Sequence, residues 1–504
     1  MRRDLSRLES EEHDLLVIGA GIQGACIAWD AALRGLRVAL IDRGDFGAAT
    51  SANSLRIIHG GLRYLARGDL PRMRESIRER SALLRIAPGL VEPLPVLIPT
   101  GPPGVPSRLA LGAALALTHA LSPRRNRDIH PSRRIPAGRL LSRAEALALL
   151  PALRNAPVTG GALWYDARMT RPERLTLAFV LSAATEGAAV ANYSEAETFD
   201  VAGGIVRSVA VVDRLSGDRC TVRARRIVIA AGPWTEGLAA RAGRRPPLHA
   251  DGPRLAIGLN LVLGRRLGEA AVGLRAASSS ERDPGGSRGR FLFLVPQART
   301  TLLGTWYEVA DGDDAGTAAD RGEAYLLQAI NRACPGLELT PDDVVARQVG
   351  RLPLKAGLER GPTFALAERP RIAGPEVAGG SNLLTVEAVK YTTARGVAAR
   401  VVDAVLASLG MEPRPCRTAE TPLVSGAALP HPPTSLDQRV RRAVTEEMAA
   451  TLSDVVFRRT ELGDSPGPDE DGVRLAARLA GEVLGWDDRR RSEEEATVLR
   501  AEAV

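Results

Sequence analysis

Hydrophobic and polar positions along the chain separate most clearly between Asp14 and Phe46. Leu15 to Ile18 is an unbroken apolar run of strand length, as expected for a strand buried on both faces. Ala25 to Leu33 is small and apolar, and reads as a helix closed by Gly35. Leu36 to Ile41 is a second apolar run, ending on Asp42. The stretch is therefore one β-α-β unit. Beyond it, Leu70 to Leu84 has the spacing of a charged amphipathic helix, and Leu109 to Leu121 that of an apolar one. Seven prolines between Pro88 and Pro106 mark a change of domain. Residues 160–188 read as strand, turn and long helix, and Ala189 to Ala191 begins a further strand. Ile205 to Asp213 and Cys220 to Ala230 form a hairpin leading into Ala231-Gly232-Pro233-Trp234. Leu255 to Leu263, Phe291 to Pro296 and Thr301 to Trp306 are strands of a second sheet. Ser278 to Arg290 and Asp311 to Ala319 are polar loops. Residues 382–410 are strand, loop and long helix; residues 418–504 are helical and highly charged.

The turn of the first unit carries chemistry. GAGIQG places Gly19, Gly21 and Gly24 at the spacing G-x-G-x-x-G. The first glycine permits a tight turn, the second lets backbone approach a pyrophosphate, and the third lets helix and strand pack closely. The helix N-terminus offers unpaired N–H groups to phosphate. Asp42 stands where a carboxylate accepts the hydroxyls of an adenosine ribose. A dinucleotide is expected here.

Composition narrows the partners. With 504 residues the chain has room for two or three domains. A net charge of +8 suits acidic small molecules or an anionic membrane surface. Aromatic residues make up 4% and no RNA-binding or zinc-finger pattern occurs, so nucleic acid is not expected. Only two lysines are present, Lys355 and Lys390, among many arginines. A retained lysine marks a place where a compact ammonium is needed. Cys26, Cys220, Cys334 and Cys416 are far apart, so neither a metal site nor a disulfide framework is expected. Residues 1–13 lack an apolar leader core, and no apolar run reaches spanning length, so a cytoplasmic location is expected. The apolar helix at 109–121 is followed by Arg124, Arg125, Arg127, Arg133, Arg134 and Arg139. That pairing fits a membrane-interface helix, or equally a buried helix beside a solvated basic loop.

Five stretches then carry a resemblance: GAGIQGACIAWDAALRGLRVALIDRGDF, TSANSLRIIHGGLRYL, AAGPW, LLTVEAVKYTTAR and TLSDVVFRRTELG. In this order and spacing they resemble the FAD-dependent, aerobic-type glycerol-3-phosphate dehydrogenases of the D-amino-acid-oxidase-like superfamily. The resemblance implies non-covalent FAD, with Thr50, Ser51 and Ser54 along the cofactor and His59, Gly60, Gly61, Arg63 and Tyr64 near flavin or substrate. Gly232 and the loop carrying Lys390, Thr392 and Thr393 would complete the flavin site, with Lys390 beside the ring. Catalytic roles fall to Lys390, His59 and Arg351, and substrate contacts to Arg63, Tyr64, Arg351 and Asn260. The chain departs from the family in its substrate motifs. Where the family has x-G-x-R-P-L it reads VGRLPL, so Arg351 comes one place early and Leu352 takes its slot. Ala367-Glu368-Arg369 replaces S-R-D, Gly304-Thr305-Trp306-Tyr307 replaces GTTD, and Asn260 replaces a strand histidine.

The expected fold is α/β. A Rossmann-like, two-dinucleotide-binding FAD domain is built from residues 12–78, 158–245 and 363–415. A β-rich substrate domain comprises 79–157 and 246–362, with a membrane-interface segment at 108–139. A helical domain follows at 416–504. The implied activity is oxidation of sn-glycerol 3-phosphate to dihydroxyacetone phosphate, with electrons passed to a quinone or other acceptor. Peripheral contact with the inner face of the cytoplasmic membrane and a homodimer are compatible arrangements. The alternatives are an FAD oxidoreductase for another polar alcohol or amine, and a non-catalytic FAD-binding protein.

Overall fold

The computed structural model describes residues 1, 3–65, 68–101, 105, 107–243, 255–276, 291–310, 315–354, 366–374, 381–424, 435–464 and 469–500. Helix α1 (Leu5–Ser10), capped by the Asp4 side chain, leads into β1 (Glu12–Ile18). Then come α2 (Ile22–Leu33), β2 (Val38–Ile41), β3 (Ile57–Ile58), α3 (Leu62–Leu65) and α4 (Leu70–Ile86). Next are β4 (Val91–Thr100), α5 (Arg108–Leu121), β5 (Arg139–Ser142), α6 (Arg143–Leu149) and β6 (Gly160–Met169). Helix α7 (Pro172–Thr185) precedes β7 (Ala189–Ala191), β8 (Ser194–Ala202), β9 (Ile205–Asp213) and β10 (Arg219–Ile229). Helix α8 (Thr235–Arg241) is followed by β11 (Leu255–Leu263), β12 (Ala271–Arg275), β13 (Phe291–Pro296) and β14 (Thr301–Ala310). The chain continues through α9 (Ala315–Ala333), β15 (Val344–Pro353), β16 (Arg371–Ala373), β17 (Leu383–Glu387) and α10 (Ala394–Ser408). It ends in α11 (Leu436–Glu447), α12 (Glu470–Leu484) and α13 (Asp488–Arg500).

Two sheets organise these elements. The first has the order β16-β17-β10-β1-β2-β7, with β8 and β9 continuing from β10. Strands β17, β10, β1, β2 and β7 run parallel. Leu15 and Val17 of β1 join the core with α2, α7 and α10, whereas Leu16 and Ile18 join the core under the β8–β10 meander. Burial on both faces is why this strand is continuously apolar. Trp29 of α2 packs edge-to-face on Phe179 of α7, with ring centroids 5.4 Å apart.

The second sheet has the order β15-β11-β14-β13-β12-β4-β6-β3, with β5 on β6. Its outer face packs on α9 through Leu259, Leu261, Leu326 and Ile330. Two sequence expectations change here. The proline-rich stretch, expected to mark a change of domain, is itself built into the sheet: Val91–Thr100 is a full strand paired with β6. Pro93, Pro95 and Pro99 occupy alternate positions, so their missing N–H groups share one edge, and on β4's other side only Val96 and Leu97 pair with β12. Residues 160–169 and Ile57–Ile58, assigned to the cofactor domain from sequence, pair into this second sheet instead. Local pattern predicts a strand but not its partner. The loop 278–290 and residues 311–314 of the loop expected at 311–319 lie outside the described residues, while residues 315–319 are helical and open α9.

Helix α5 is not a buried core helix. Leu115 is its one buried residue, and Leu109 and Leu117 are 86% and 46% exposed. No helix among the described residues is long and apolar enough to cross a membrane.

The C-terminal helices have their own core around Val440, Leu452, Val456 and Val473. They dock on the first sheet through buried charge. Asp45, whose side chain is 0% exposed, accepts from Arg459 at 2.7 Å on both oxygens and from Arg458 at 2.7 Å. Glu447 is paired with Arg174 at 2.5 Å. Burial alone would raise Asp45, but the two guanidinium charges outweigh it and hold its carboxyl well below the ordinary value.

Candidate cofactor and substrate site

The glycine turn closes on itself and on β10. Gly19 has φ +102°, and a Cβ there would come 2.7 Å from Ala230 O. A Cβ on Gly24 would lie 1.8 Å from Gly19 O, so helix and turn are in direct backbone contact. A Cβ on Gly21 would meet only Ser51 Oγ, at 3.1 Å. The N-cap residue of α2, Gly21, supplies no side-chain cap. The Ser51 hydroxyl takes the Ile22 N–H at 3.0 Å, bringing the 47–54 loop to the helix N-terminus. Asp42 ends β2 beside this turn. Its Oδ2 accepts the Ala20 N–H at 2.6 Å and its Oδ1 the Gly44 N–H at 2.9 Å. Burial pushes this carboxyl up to about 6, against those two N–H groups. Gly232 follows the Ala230–Ala231 backbone that touches Gly19; it has φ +55° and open space where a Cβ would be.

Thr50 and Ser54 are fixed differently from each other. The Thr50 hydroxyl donates to Arg351 O at 3.1 Å and accepts the Arg351 N–H at 3.2 Å, tying the loop to β15. Ser54 Oγ accepts the Arg56 N–H at 3.3 Å within a local turn.

The His59 loop and the Lys390 loop meet. The His59 N–H donates to Thr392 Oγ1 at 3.2 Å, and Gln23 of α2 donates to Lys390 O at 3.3 Å. Lys390 Nζ lies 4.8 Å above the Tyr64 ring and donates to Glu368 O at 3.2 Å. Arg72 approaches the same ring at 5.9 Å and pairs with Glu368 at 2.6 Å. Thr393 begins α10 and is nearly buried, as is Thr392. Arg63 lies on α3, but its side chain is outside the described residues.

Gly60 and Gly61 have separate reasons to be glycine. A Cβ on Gly60 would strike Arg80 Nη1 at 2.0 Å, and Gly61 has φ +85°. Behind them stands a pair that sequence reasoning missed. Asp166 of β6 accepts the Gly60 N–H at 2.7 Å and Arg80 Nη1 at 3.2 Å. Its other oxygen lies 3.6 Å from His59 Nδ1. Burial raises Asp166, but His59 and Arg80 outweigh it and hold the carboxyl below its usual value. A lone carboxylate inside the apolar run GALWYDARM was the available signal.

The substrate-sheet residues divide by face. Asn260 is 2% exposed and its Oδ1 accepts from the Thr305 hydroxyl at 2.7 Å. Gln348 lies opposite it on β15, buried, with Oε1 lacking a partner. Gly350 is directed at the Thr50 side chain, 3.2 Å from where a Cβ would be. Alternation puts Arg351 on the other face, with Arg347, which pairs with Asp320 and Glu323 of α9. Leu352 returns to the face of Gly258 and Tyr307. A one-residue shift in a strand reverses the side-chain direction.

These features fit a flavin dinucleotide, and comparison with known proteins decides the matter. The family model described as FAD dependent oxidoreductase (DAO) matches residues 14–401. The chain belongs to this family. It is therefore an FAD-dependent oxidoreductase. A glycerol-3-phosphate dehydrogenase of Synechocystis sp. is 31% identical over 441 residues, covering 85% of this chain and 76% of its own. An aerobic glycerol-3-phosphate dehydrogenase of Staphylococcus aureus is 30% identical over 419 residues, covering 82% of this chain and 71% of its own. The glycerol-3-phosphate dehydrogenase of Bacillus halodurans, solved with FAD, shares the fold with a TM-score of 0.72 at 24% identity, covering 99% of this chain and 96% of its own. FAD is thus the cofactor of this flavoprotein, and the close backbone contacts of the Gly19–Gly24 turn, which side chains would fill, fit a pyrophosphate there.

Proposed function

We propose that the flavoprotein oxidises sn-glycerol 3-phosphate to dihydroxyacetone phosphate and passes the electrons to a quinone or another acceptor. The observation that carries this reading is the convergence of His59, Tyr64 and Lys390 at the crossing of two loops, in a chain whose relatives are named for this substrate. Bound FAD supplies the acceptor for the carbinol hydride. In the proposal Gly19, Gly21 and Gly24 hold the pyrophosphate, Asp42 the ribose, and Ser51, Thr392 and Thr393 line the cofactor. His59 takes the hydroxyl proton, with Asp166 orienting its ring through Nδ1 and balancing the charge it gains. Lys390 holds positive charge beside the ring system, and Tyr64 and, as the sequence resemblance implies, Arg63 bind the anionic end of the substrate.

The exposed apolar face of α5, followed by the arginine cluster, supports peripheral contact with an anionic membrane, where a lipophilic acceptor is available. One observation favours a second reading, an enzyme for another polar alcohol or amine: Leu352 occupies the cofactor-side face while Arg351 turns to the α9 side. Oxidised protein mixed anaerobically with sn-glycerol 3-phosphate tests the proposal. One dihydroxyacetone phosphate per flavin is expected; reduction without that product, or no reduction, overturns it.

A further inference from the structure

The turn that carries Asp42 is held from the far end of the chain. Asp42 takes the N–H groups of Ala20 and Gly44 on its two oxygens, so its direction depends on where residues 43–47 lie. Backbone ties that turn to its own domain: the Gly47 N–H donates to Ala20 O at 3.0 Å, the Tyr193 N–H to Gly44 O at 3.0 Å, and the Ser194 N–H to Asp42 O at 2.6 Å. Its side-chain anchor lies elsewhere. The buried Asp45 carboxylate is taken by Arg458 and Arg459, 413 and 414 residues along the chain. The adjoining Asn192–Tyr193 turn repeats the connection. Asn192 Nδ2 donates to Asp45 Oδ1 at 3.0 Å and to Met448 O at 2.8 Å, and the Tyr193 hydroxyl donates to Asp454 Oδ1 at 2.8 Å. Tyr193 has φ +51°, a conformation that a bulky residue keeps only where its surroundings impose it. Asp454 is itself fixed: its other oxygen accepts the Ala450 and Thr451 N–H groups, and Arg458 bridges it to Asp45. Attaching the C-terminal helices does not require this arrangement, since Arg174 of α7 and Glu447 of α11 already pair. Buried ion pairs add little net stability, because desolvation offsets their attraction. What these pairs fix is the geometry of one turn, next to Asp42.

We propose that Asp454, Arg458 and Arg459 are positioning residues for FAD: they hold the 43–47 turn, and through it Asp42, in the geometry that accepts the adenosine ribose. The inference rests on the placement of that ribose at Asp42. Cofactor binding and docking of the C-terminal helices are then coupled, and each strengthens the other by the same factor. The C-terminal residues act on the adenosine end of the cofactor and touch none of the groups around His59 and Lys390 that the redox proposal uses.

Two measurements of binding, neither of them turnover, test the proposal. In the first, apo-protein is titrated with FAD and followed by flavin fluorescence. Arg458→Gln should weaken FAD about tenfold, and Tyr193→Phe, which removes one hydroxyl from the same network, about threefold. In an Asp42→Asn background each change should cost less than about twofold, because the residue through which it acts is gone. In the second, hydrogen exchange of the unaltered protein is compared with and without FAD. Saturating FAD should slow exchange of the 448–459 amides by about the same tenfold. Parent FAD affinity in folded Arg458→Gln, or equal losses with Asp42 and with Asn at that position, overturns the proposal. Unchanged exchange at 448–459 overturns it whether or not the variants fold. Parent affinity in Asp42→Asn alone overturns the ribose placement and this proposal with it, whereas a loss there with none in Arg458→Gln overturns this proposal only.

Discussion

Gly24→Ala should separate the cofactor cradle from the rest of the fold. The added Cβ would lie 1.8 Å from Gly19 O, 3.0 Å from Gly19 C and 3.3 Å from Val17 Cγ1. The first contact must open by at least about 1 Å to reach a tolerable distance. Gly19 cannot yield easily. Its N–H is bonded to Ile41 O at 2.8 Å, and Ala230 and Ala231 stand against its other side. The turn must therefore part from α2, whose N-terminal N–H groups are the proposed pyrophosphate donors. Overpacking of this kind costs roughly 1–3 kcal/mol. If about 2 kcal/mol of it falls on the holo form, FAD affinity drops roughly 30-fold. Titration of apo-protein with FAD, followed by flavin fluorescence, measures this, and thermal unfolding with and without FAD apportions the loss. Gly237→Ala in α8 is the control, since its Cβ would meet nothing within 4 Å. Parent affinity and parent melting in Gly24→Ala would refute the reasoning.

Three further outcomes follow from the same geometry. Asp42, raised to about 6 in the folded apo-protein, binds its proton more tightly than in the unfolded chain. Its contribution to apo stability is therefore greatest at low pH and is lost as pH rises from about 4 to 6. Ribose hydroxyls favour the ionised form, so FAD affinity should fall about tenfold between pH 7 and 5, and Asp42→Asn should flatten that dependence; a parallel slope in Asp42→Asn contradicts this. Lys390→Arg should keep FAD and melting temperature but slow flavin reduction at least about tenfold, because the bulkier, permanently charged guanidinium replaces an ammonium packed on Tyr64; stopped-flow reduction at the parent rate would reduce Lys390 to a surface residue. Arg459→Gln leaves Asp45 buried with a partner removed, and should cost about 3–5 kcal/mol in denaturant unfolding; a loss under about 1 kcal/mol would mean that Arg458 alone suffices.

What could be read from the sequence was what is encoded locally. Strand β1, the three glycines, α2 and Asp42 lie within thirty-one consecutive residues, from Glu12 to Asp42, and each needs only its neighbours to be recognised. The substrate sheet was recognisable as strands but not in its order, because β4, β6 and β12 are joined across long separations. Residues 160–169 went to the other domain for that reason. Arg80 and Asp166 were missed because they are 86 residues apart and nothing in either neighbourhood names its partner. The displaced Arg351 shows the opposite limit. The shift was visible in VGRLPL, but its consequence, a side chain facing α9, required the β15–β11 register.

Anaerobic bleaching of the visible flavin band by sn-glycerol 3-phosphate, compared with glycerol at equal concentration, is the most direct test of the central claim. The account predicts full bleaching by the phosphate ester and little by glycerol, because the anionic end engages the cationic surroundings of Tyr64. Equal bleaching by both, or bleaching only by neutral alcohols or amines, would contradict it and leave the Leu352 face as the guide to the true substrate.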